Sequence, residues 1–233
     1  MHPSPVSIRA IAPESGSSAA TQARFWDKIA RKYAADPIAD VAGYEATLRR
    51  VQALLSPAHS VLELGCGTGS TALRLAASTR RMMATDVSKE MIAIAREKQS
   101  AQPDSPDFSR LRFGVADAES AALGSASHDV VMAFNVLHLV SDLDVAIQAI
   151  LDTLKPGGLF ISKTPCVAEM NPLITRVALP VMHAIGKAPD LLIFNAAQLQ
   201  ASFMSHGLQI EAVERHGTKA KDIRLFIIAR RPL

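Results

Sequence analysis

Apolar runs and charged, helix-length stretches alternate along most of this chain. Short runs rich in Val, Ile, Leu, Met and Phe fall near residues 60–64, 81–85, 111–115, 129–134, 159–163, 208–216 and 222–230. Turn-forming residues bound them, so each predicts a strand. Strands alternating with helices predict a parallel sheet covered on both sides. The run from Asp129 to Phe134 is apolar after its first residue, as a central strand buried on both faces requires. The last two strands are separated only by Gly217-Thr218-Lys219-Ala220-Lys221, a connection short enough to join only antiparallel neighbours. Two helices come first, about Thr21 to Ala35 and Gly43 to Leu55. In the first, Phe25, Ile29 and Tyr33 are spaced to share one face.

The stretch Val61-Leu62-Glu63-Leu64-Gly65-Cys66-Gly67-Thr68-Gly69 reads as a buried strand, an acid, alternate glycines and then a helix from Ser70 to Ala77. Glycine lets the backbone turn sharply and lets a ligand lie against the main chain. The helix start turns its N–H groups toward that ligand. A dinucleotide fingerprint needs its third glycine at position 70, which is serine. A pyrophosphate would also sit poorly beside Glu63, whereas a cation would not. Asp86 closes the next strand about 20 residues past the turn, where a carboxylate can accept from ribose hydroxyls. A nicotinamide-dependent oxidoreductase would share that acid, so Asp86 alone does not separate the readings. Ser88 is placed to cap the following helix. Asp117 follows the third strand, and Asn135-Val136-Leu137-His138 follows the fourth. Leu154-Lys155-Pro156-Gly157-Gly158 stops a helix and turns into the fifth. Glu63, Asp86, Asp117 and Asn135 thus sit at the carboxyl ends of different strands, where doubly wound sheets bind ligands.

The Glu63 to Gly69 motif, with Asp86, Asp117 and the Asn135–His138 tip at matching spacing, resembles the class I S-adenosylmethionine-dependent methyltransferases. The segment Phe25 to Tyr33 is similar to the first helix of the ubiquinone/menaquinone methyltransferase-like, small-molecule branch. The likeness covers about residues 58 to 164 by motif and reaches the C-terminus by element order. It implies an α/β, Rossmann-like doubly wound sheet of seven strands in order 3-2-1-4-5-7-6, its last hairpin antiparallel, with an N-terminal helical lid. It implies S-adenosyl-L-methionine as cofactor, held by Glu63, Gly65, Cys66, Gly67, Gly69, Asp86, Val87, Met91, Asp117, Ala118, Asn135 and Tyr33. In that scheme the turn embraces the methionine end, Asp86 the ribose, and Met91 and Asp117 the adenine. Met91 reads equally well as a helix core residue. Cys66 reads as a small filler rather than a nucleophile. His138, just past the fourth strand tip, is the first candidate for a base, ahead of His183 and Tyr33. The tip lacks the proline and aromatic usual in methylases of exocyclic amines, which lowers the odds of a nucleic-acid base as acceptor.

Composition narrows the rest. The 233 residues are 48% apolar, enough for one large domain with a sizeable core. Aromatics make up 5%, too few for wide stacking platforms on single-stranded nucleic acid. The net charge of +3 is spread over scattered pairs such as Arg49-Arg50 and Arg80-Arg81, unlike a duplex-binding surface. Residues 1–20, rich in Ser, Pro and Ala, are expected to form a disordered tail. Residues 21–57 would be the lid and 58–233 the core, with a helical insert at about 166–194 that lines the acceptor side, packs as an ordinary subdomain or makes a homodimer contact. Arg176, Lys187, Asp190 and prolines 180 and 189 keep that insert from spanning a bilayer. Two cysteines, no signal-peptide pattern and no metal-ligand spacing among seven histidines suggest a cytoplasmic protein without a metal. The expected activity is in-line methyl transfer to a small, partly apolar acceptor. A non-catalytic cofactor-binding module and a nicotinamide-dependent oxidoreductase are the alternatives.

Overall fold

The computed structural model describes residues 9–11, 19–102, 109–120, 125–218 and 222–233. Its strands are Arg9–Ile11 (β1), Ser60–Leu64 (β2), Arg81–Asp86 (β3), Leu111–Val115 (β4), His128–Phe134 (β5), Leu154–Pro165 (β6), Leu191–Ile193 (β7), Gln209–Glu214 (β8) and Arg224–Arg230 (β9). Its α-helices are Ala19–Ala35 (α1), Val41–Gln52 (α2), Ser70–Leu75 (α3), Lys89–Ser100 (α4), Leu143–Thr153 (α5), Leu179–Ala184 (α6) and Ala196–Ser205 (α7). Seven strands form one sheet in the order β4-β3-β2-β5-β6-β9-β8. Numbered from β2 as the first core strand, this is the expected 3-2-1-4-5-7-6. The pairs from β4 across to β6 are parallel; β9 is antiparallel to both β6 and β8.

The period-two alternation of the strands sends side chains to two cores. Val61, Val130, Met132, Ile161 and Phe226 pack on one face with Leu48 and Val51 of α2. Leu62, Val131, Ala133, Phe160 and Ile227 pack on the other with residues of α5 and α7. Strand β5 therefore buries successive residues on opposite faces, which is why its apolar run is unbroken. Each fully buried Leu, Ile, Phe or Met contributes about 1.5–3 kcal/mol relative to exposure. Side chains cap several of the helix starts: Asp40 accepts from Gly43 N–H, Ser88 from Met91 N–H, and Asn195 with Gln198 forms a capping box on α7. Among the described residues, no helix is long and apolar enough to cross a membrane.

The structure differs from the sequence expectations at three places outside the sheet. Within residues 1–20, expected to lack structure, Arg9–Ile11 pairs antiparallel with Leu191–Ile193; positions 1–8 and 12–18 lie outside the described residues. The buried positions of α1 are Gln22 and Ala30, with Trp26 between them packed on Met91 and Ile94, rather than Phe25, Ile29 and Tyr33. A polar residue hides that stripe from a hydrophobicity reading: Gln22 is buried because its Nε2 donates to Leu139 O (2.8 Å) and Asp190 O (3.0 Å). Third, the insert after β6 holds short helices as expected, but none of residues 166–194 lines the main cavity. The insert is tied to the rest of the fold by bonds that include Cys166 N–H to Ile223 O, the Arg215–Glu169 ion pair, Leu192 N–H to His138 O and the Gln22 bond to Asp190.

Candidate functional site

All three turn glycines have positive φ, 62° at Gly65, 54° at Gly67 and 75° at Gly69, where L side chains are strained. Their missing side chains do different work. A Cβ on Gly65 would meet Val136 at 2.6 Å, and one on Gly69 would meet Phe113 at 2.7 Å and Ala95 at 2.8 Å. These two glycines admit protein packing. A Cβ on Gly67 would meet only Tyr33 Cε1, at 3.9 Å, so this glycine keeps open space for something else. The turn is tied to β3 by Cys66 N–H donating to Thr85 O (2.9 Å) and Gly67 N–H donating to Asp86 Oδ2 (2.8 Å).

Two acids flank the open turn. Glu63 is 2% exposed, and its Oε2 has no hydrogen-bond partner among the described residues. Burial, reinforced by Asp86, raises its carboxyl to about pKa 8. Asp86 is held above the usual carboxylate range by burial, although the N–H groups of Ser88 and Gly67 pull it back. A buried, unpartnered carboxyl beside a second acid suits a cationic ligand, which would restore the charged form of both. Burial, Glu63 and Asp86 push the Cys66 thiol well up, so it is no nucleophile at neutral pH.

These groups open into a cavity of about 450 Å³. Glu63, Gly65, Cys66, Gly67, Asp86, Val87, Met91, Asp117, Ala118, Asn135 and Tyr33 all line it; of the expected cofactor residues only Gly69 does not, since it packs against protein. Met91 also belongs to the core beneath α1, so both readings of it hold. Asn135 takes a left-handed conformation at the tip of β5, φ 56°, and donates its N–H to Lys163 O (2.7 Å). Helix α1 crosses the cavity with Gln22, Trp26 and Tyr33, and α2 adds Tyr44 and Thr47.

The base expected at His138 does not line the cavity. Its carbonyl accepts from Leu192 N–H (2.8 Å), its Nδ1 is buried without a partner among the described residues, and burial lowers its pKa to about 4. His138 is thus neutral at physiological pH, with its backbone carbonyl tied to β7. His183 is likewise outside the lining and is bonded to Asp190. Tyr33 lines the cavity, but desolvation and then Asp86 raise its phenol further above neutrality.

Sequence reasoning missed Lys163 and Thr47. Lys163 is 7% exposed at the carboxyl end of β6 and donates from Nζ to Thr47 Oγ1 at 2.7 Å. Burial first, and then Arg224, lower its pKa, against the pull of Asp222 and Asp40. One signal was available. Leu159, Ile161 and Lys163 alternate onto one face of an expected strand, so a lysine falls at an inward position. Among the described residues, no three His, Cys, Asp or Glu side chains cluster as a metal site would require.

Residues 62–162 match the family model described as a methyltransferase domain. The malonyl-[acyl-carrier protein] O-methyltransferase of Methylovorus sp. (strain MP688) is 28% identical over 192 residues, covering 77% of this chain; the chain spans 65% of that relative's length. The ubiquinone/menaquinone biosynthesis C-methyltransferase UbiE of Rubrivivax gelatinosus is 33% identical over 101 residues, 43% of this chain and 37% of its own. Among solved structures, the [4+2]-cyclase SpnF superposes with a TM-score of 0.71 at 21% identity, covering 94% of this chain and 98% of that one.

Proposed function

The chain belongs to the class I S-adenosylmethionine-dependent methyltransferase superfamily, and from that premise we propose that it transfers a methyl group from S-adenosyl-L-methionine, by in-line displacement, to a small, partly apolar acceptor. One observation carries the reading. An unpartnered buried carboxyl (Glu63), a second acid (Asp86) and a turn open at Gly67 meet in one cavity. A nucleoside that carries a positive charge satisfies all three.

Glu63 and the turn would hold the ammonium and sulfonium end, and Asp86 the ribose hydroxyls. Val87, Met91, Asp117 and Ala118 would bound the adenine. When bound, the cofactor would supply an electrophilic methyl carbon on a sulfonium leaving group, so that the acceptor would need only a lone pair held in line with the carbon–sulfur bond. The chain's own part is to orient the acceptor and exclude water. Trp26, Tyr33 and Tyr44, carried by α1 and α2, wall the cavity. The side toward Phe134, Val136 and Lys163, beyond the acids, is assigned to the acceptor. The thiols of Cys66 and Cys166 are free and buried, which fits a reducing compartment, and the cytoplasm is the assigned location.

A neighbouring structure named as a cyclase is a reminder that fold alone does not fix a reaction. The test therefore follows product. Purified protein is incubated with S-adenosylmethionine and a panel of phenols, quinols, carboxylic acids and thiols. Acceptor-dependent formation of S-adenosylhomocysteine together with a methylated acceptor is expected. Stoichiometric binding with no turnover across the panel would favour the non-catalytic module instead.

A further inference from the structure

One sheet face carries an acid and a base on either side of Phe134. Glu63 on β2 is in register with Met132 on β5, which is in register with Ile161 on β6. Two residues further along the same face, Phe134 is in register with Lys163. Adjacent strands are about 4.8 Å apart and each residue rises about 3.3 Å, so the backbones of Glu63 and Lys163 are offset by roughly 10 Å across the sheet and roughly 7 Å along it. Both line the same cavity, with Phe134 between them.

The acidic half suits a cation, and the other half ends in a cation that lacks a counter-charge. An ammonium has three N–H donors. Among the described residues, Lys163 Nζ has Thr47 Oγ1 as its hydrogen-bond partner and no carboxylate within 4.0 Å. The nearby acids are committed elsewhere. Asp40 accepts from Gly43 N–H and from both the N–H and hydroxyl of Thr218. Asp222 accepts from Gly217 N–H and from the Arg224 side chain, which also occupies Arg224. A buried ammonium with unfilled donors is costly, and an apolar side chain at the same position would avoid that cost.

We propose that Lys163 anchors the acceptor, and that the acceptor carries an anionic oxygen, as a carboxylate or an ionised enol or phenol, that fills the open donors of Nζ. This rests on the methyltransferase reading and names its substrate class. Phe134, in register with Lys163, lines the same cavity and would contact an apolar remainder. An anion seated there also restores the charge that burial and Arg224 disfavour on Lys163.

Trp26 is the chain's one tryptophan and lines the cavity, so its emission reports on ligand entry. The protein is first titrated with S-adenosylhomocysteine. Then, with that site saturated, Trp26 emission is followed as matched acid and amide probes are added: octanoate against octanamide, and phenylacetate against phenylacetamide. For at least one pair, the wild type should bind the acid about tenfold or more tighter than the amide, the scale of a charge-assisted hydrogen bond. Lys163→Met and Lys163→Gln should reduce that preference to about twofold or less, with affinity for S-adenosylhomocysteine unchanged. Two variants of different polarity guard against one that fails to fold. No acid preference in the wild type, or a preference that survives in a folded variant, would overturn the proposal. Failure of the wild type to bind S-adenosylhomocysteine at all would separately overturn the cofactor reading beneath it.

Discussion

Ser88 donates its hydroxyl to Asp27 Oδ1 at 2.6 Å, and this bond joins helix α1 to the cap of α4. The same Asp27 oxygen accepts from Glu90 N–H at 3.1 Å, while Ser88 N–H donates to Asp86 Oδ1 at 2.9 Å. A continuous path of hydrogen bonds therefore runs from α1 to the acid assigned to the cofactor ribose. The other polar tie between these helices, Arg31 on Glu97, is more than half exposed on both sides and contributes little.

Asp27→Ala should loosen α1 from α4. It removes two bonds to a carboxylate and should cost about 1–3 kcal/mol of stability in urea unfolding. Proteolytic nicking within α1 should accelerate, and S-adenosylhomocysteine should bind more weakly. Unchanged proteolysis and unchanged binding would show that α1 is held by Trp26 and Gln22 alone.

Glu63 makes both stability and ligand binding depend on pH. Its carboxyl rises from an ordinary 4.5 to about 8 on folding. Between those values the folded protein holds a proton that the unfolded chain has released. The stability this gives is full below about 4.5 and is lost as pH rises through about 8. A cationic ligand needs the ionised form, so affinity for S-adenosylmethionine should climb between about pH 6 and 8, by up to about tenfold per unit. Glu63→Gln should weaken binding and flatten both profiles. Calorimetry across this range checks each slope, and a flat wild-type affinity would contradict the assignment.

His138→Gln should leave the pH dependence of kcat/KM where it is. The ring is already neutral and does not line the cavity. Its effect should appear in thermal stability, by about 1–2 kcal/mol. Loss of an acidic limb from the profile would restore His138 as a base.

Gly69→Ala and Gly67→Ala should separate packing from ligand contact. The first forces a Cβ against Phe113 and Ala95 and should lower Tm clearly. The second adds a left-handed backbone cost of about 1–2 kcal/mol and meets no close protein atom. Its larger effect should be on cofactor affinity.

Much of this was legible because it is local. Strand runs, the glycine turn and the acids at strand ends depend on spacing within a few tens of residues, and a parallel sheet brings its carboxyl ends together by construction. Glu63, Asp86, Asp117 and Asn135 met in one cavity for that reason.

The rest depended on contacts between distant segments. Gln22 is buried only because carbonyls of residues 139 and 190 receive it. The pairing of Arg9–Ile11 with Leu191–Ile193 spans nearly the whole chain and has no local signature. His138 follows the right strand tip, yet it does not line the cavity, and its backbone carbonyl is taken up by Leu192 of β7. Lys163 gains its setting from Thr47 on α2, which is 116 residues away in sequence.

Titration calorimetry with S-adenosylhomocysteine, on the wild type and on Gly67→Val shown to be folded by circular dichroism, asks whether the open turn seats the cofactor. One ligand should bind per wild-type chain, with no measurable heat for the variant, whose added side chain would project into the cavity. Folded wild type that gives no heat, or a folded variant that binds as tightly as the wild type, would contradict that seating.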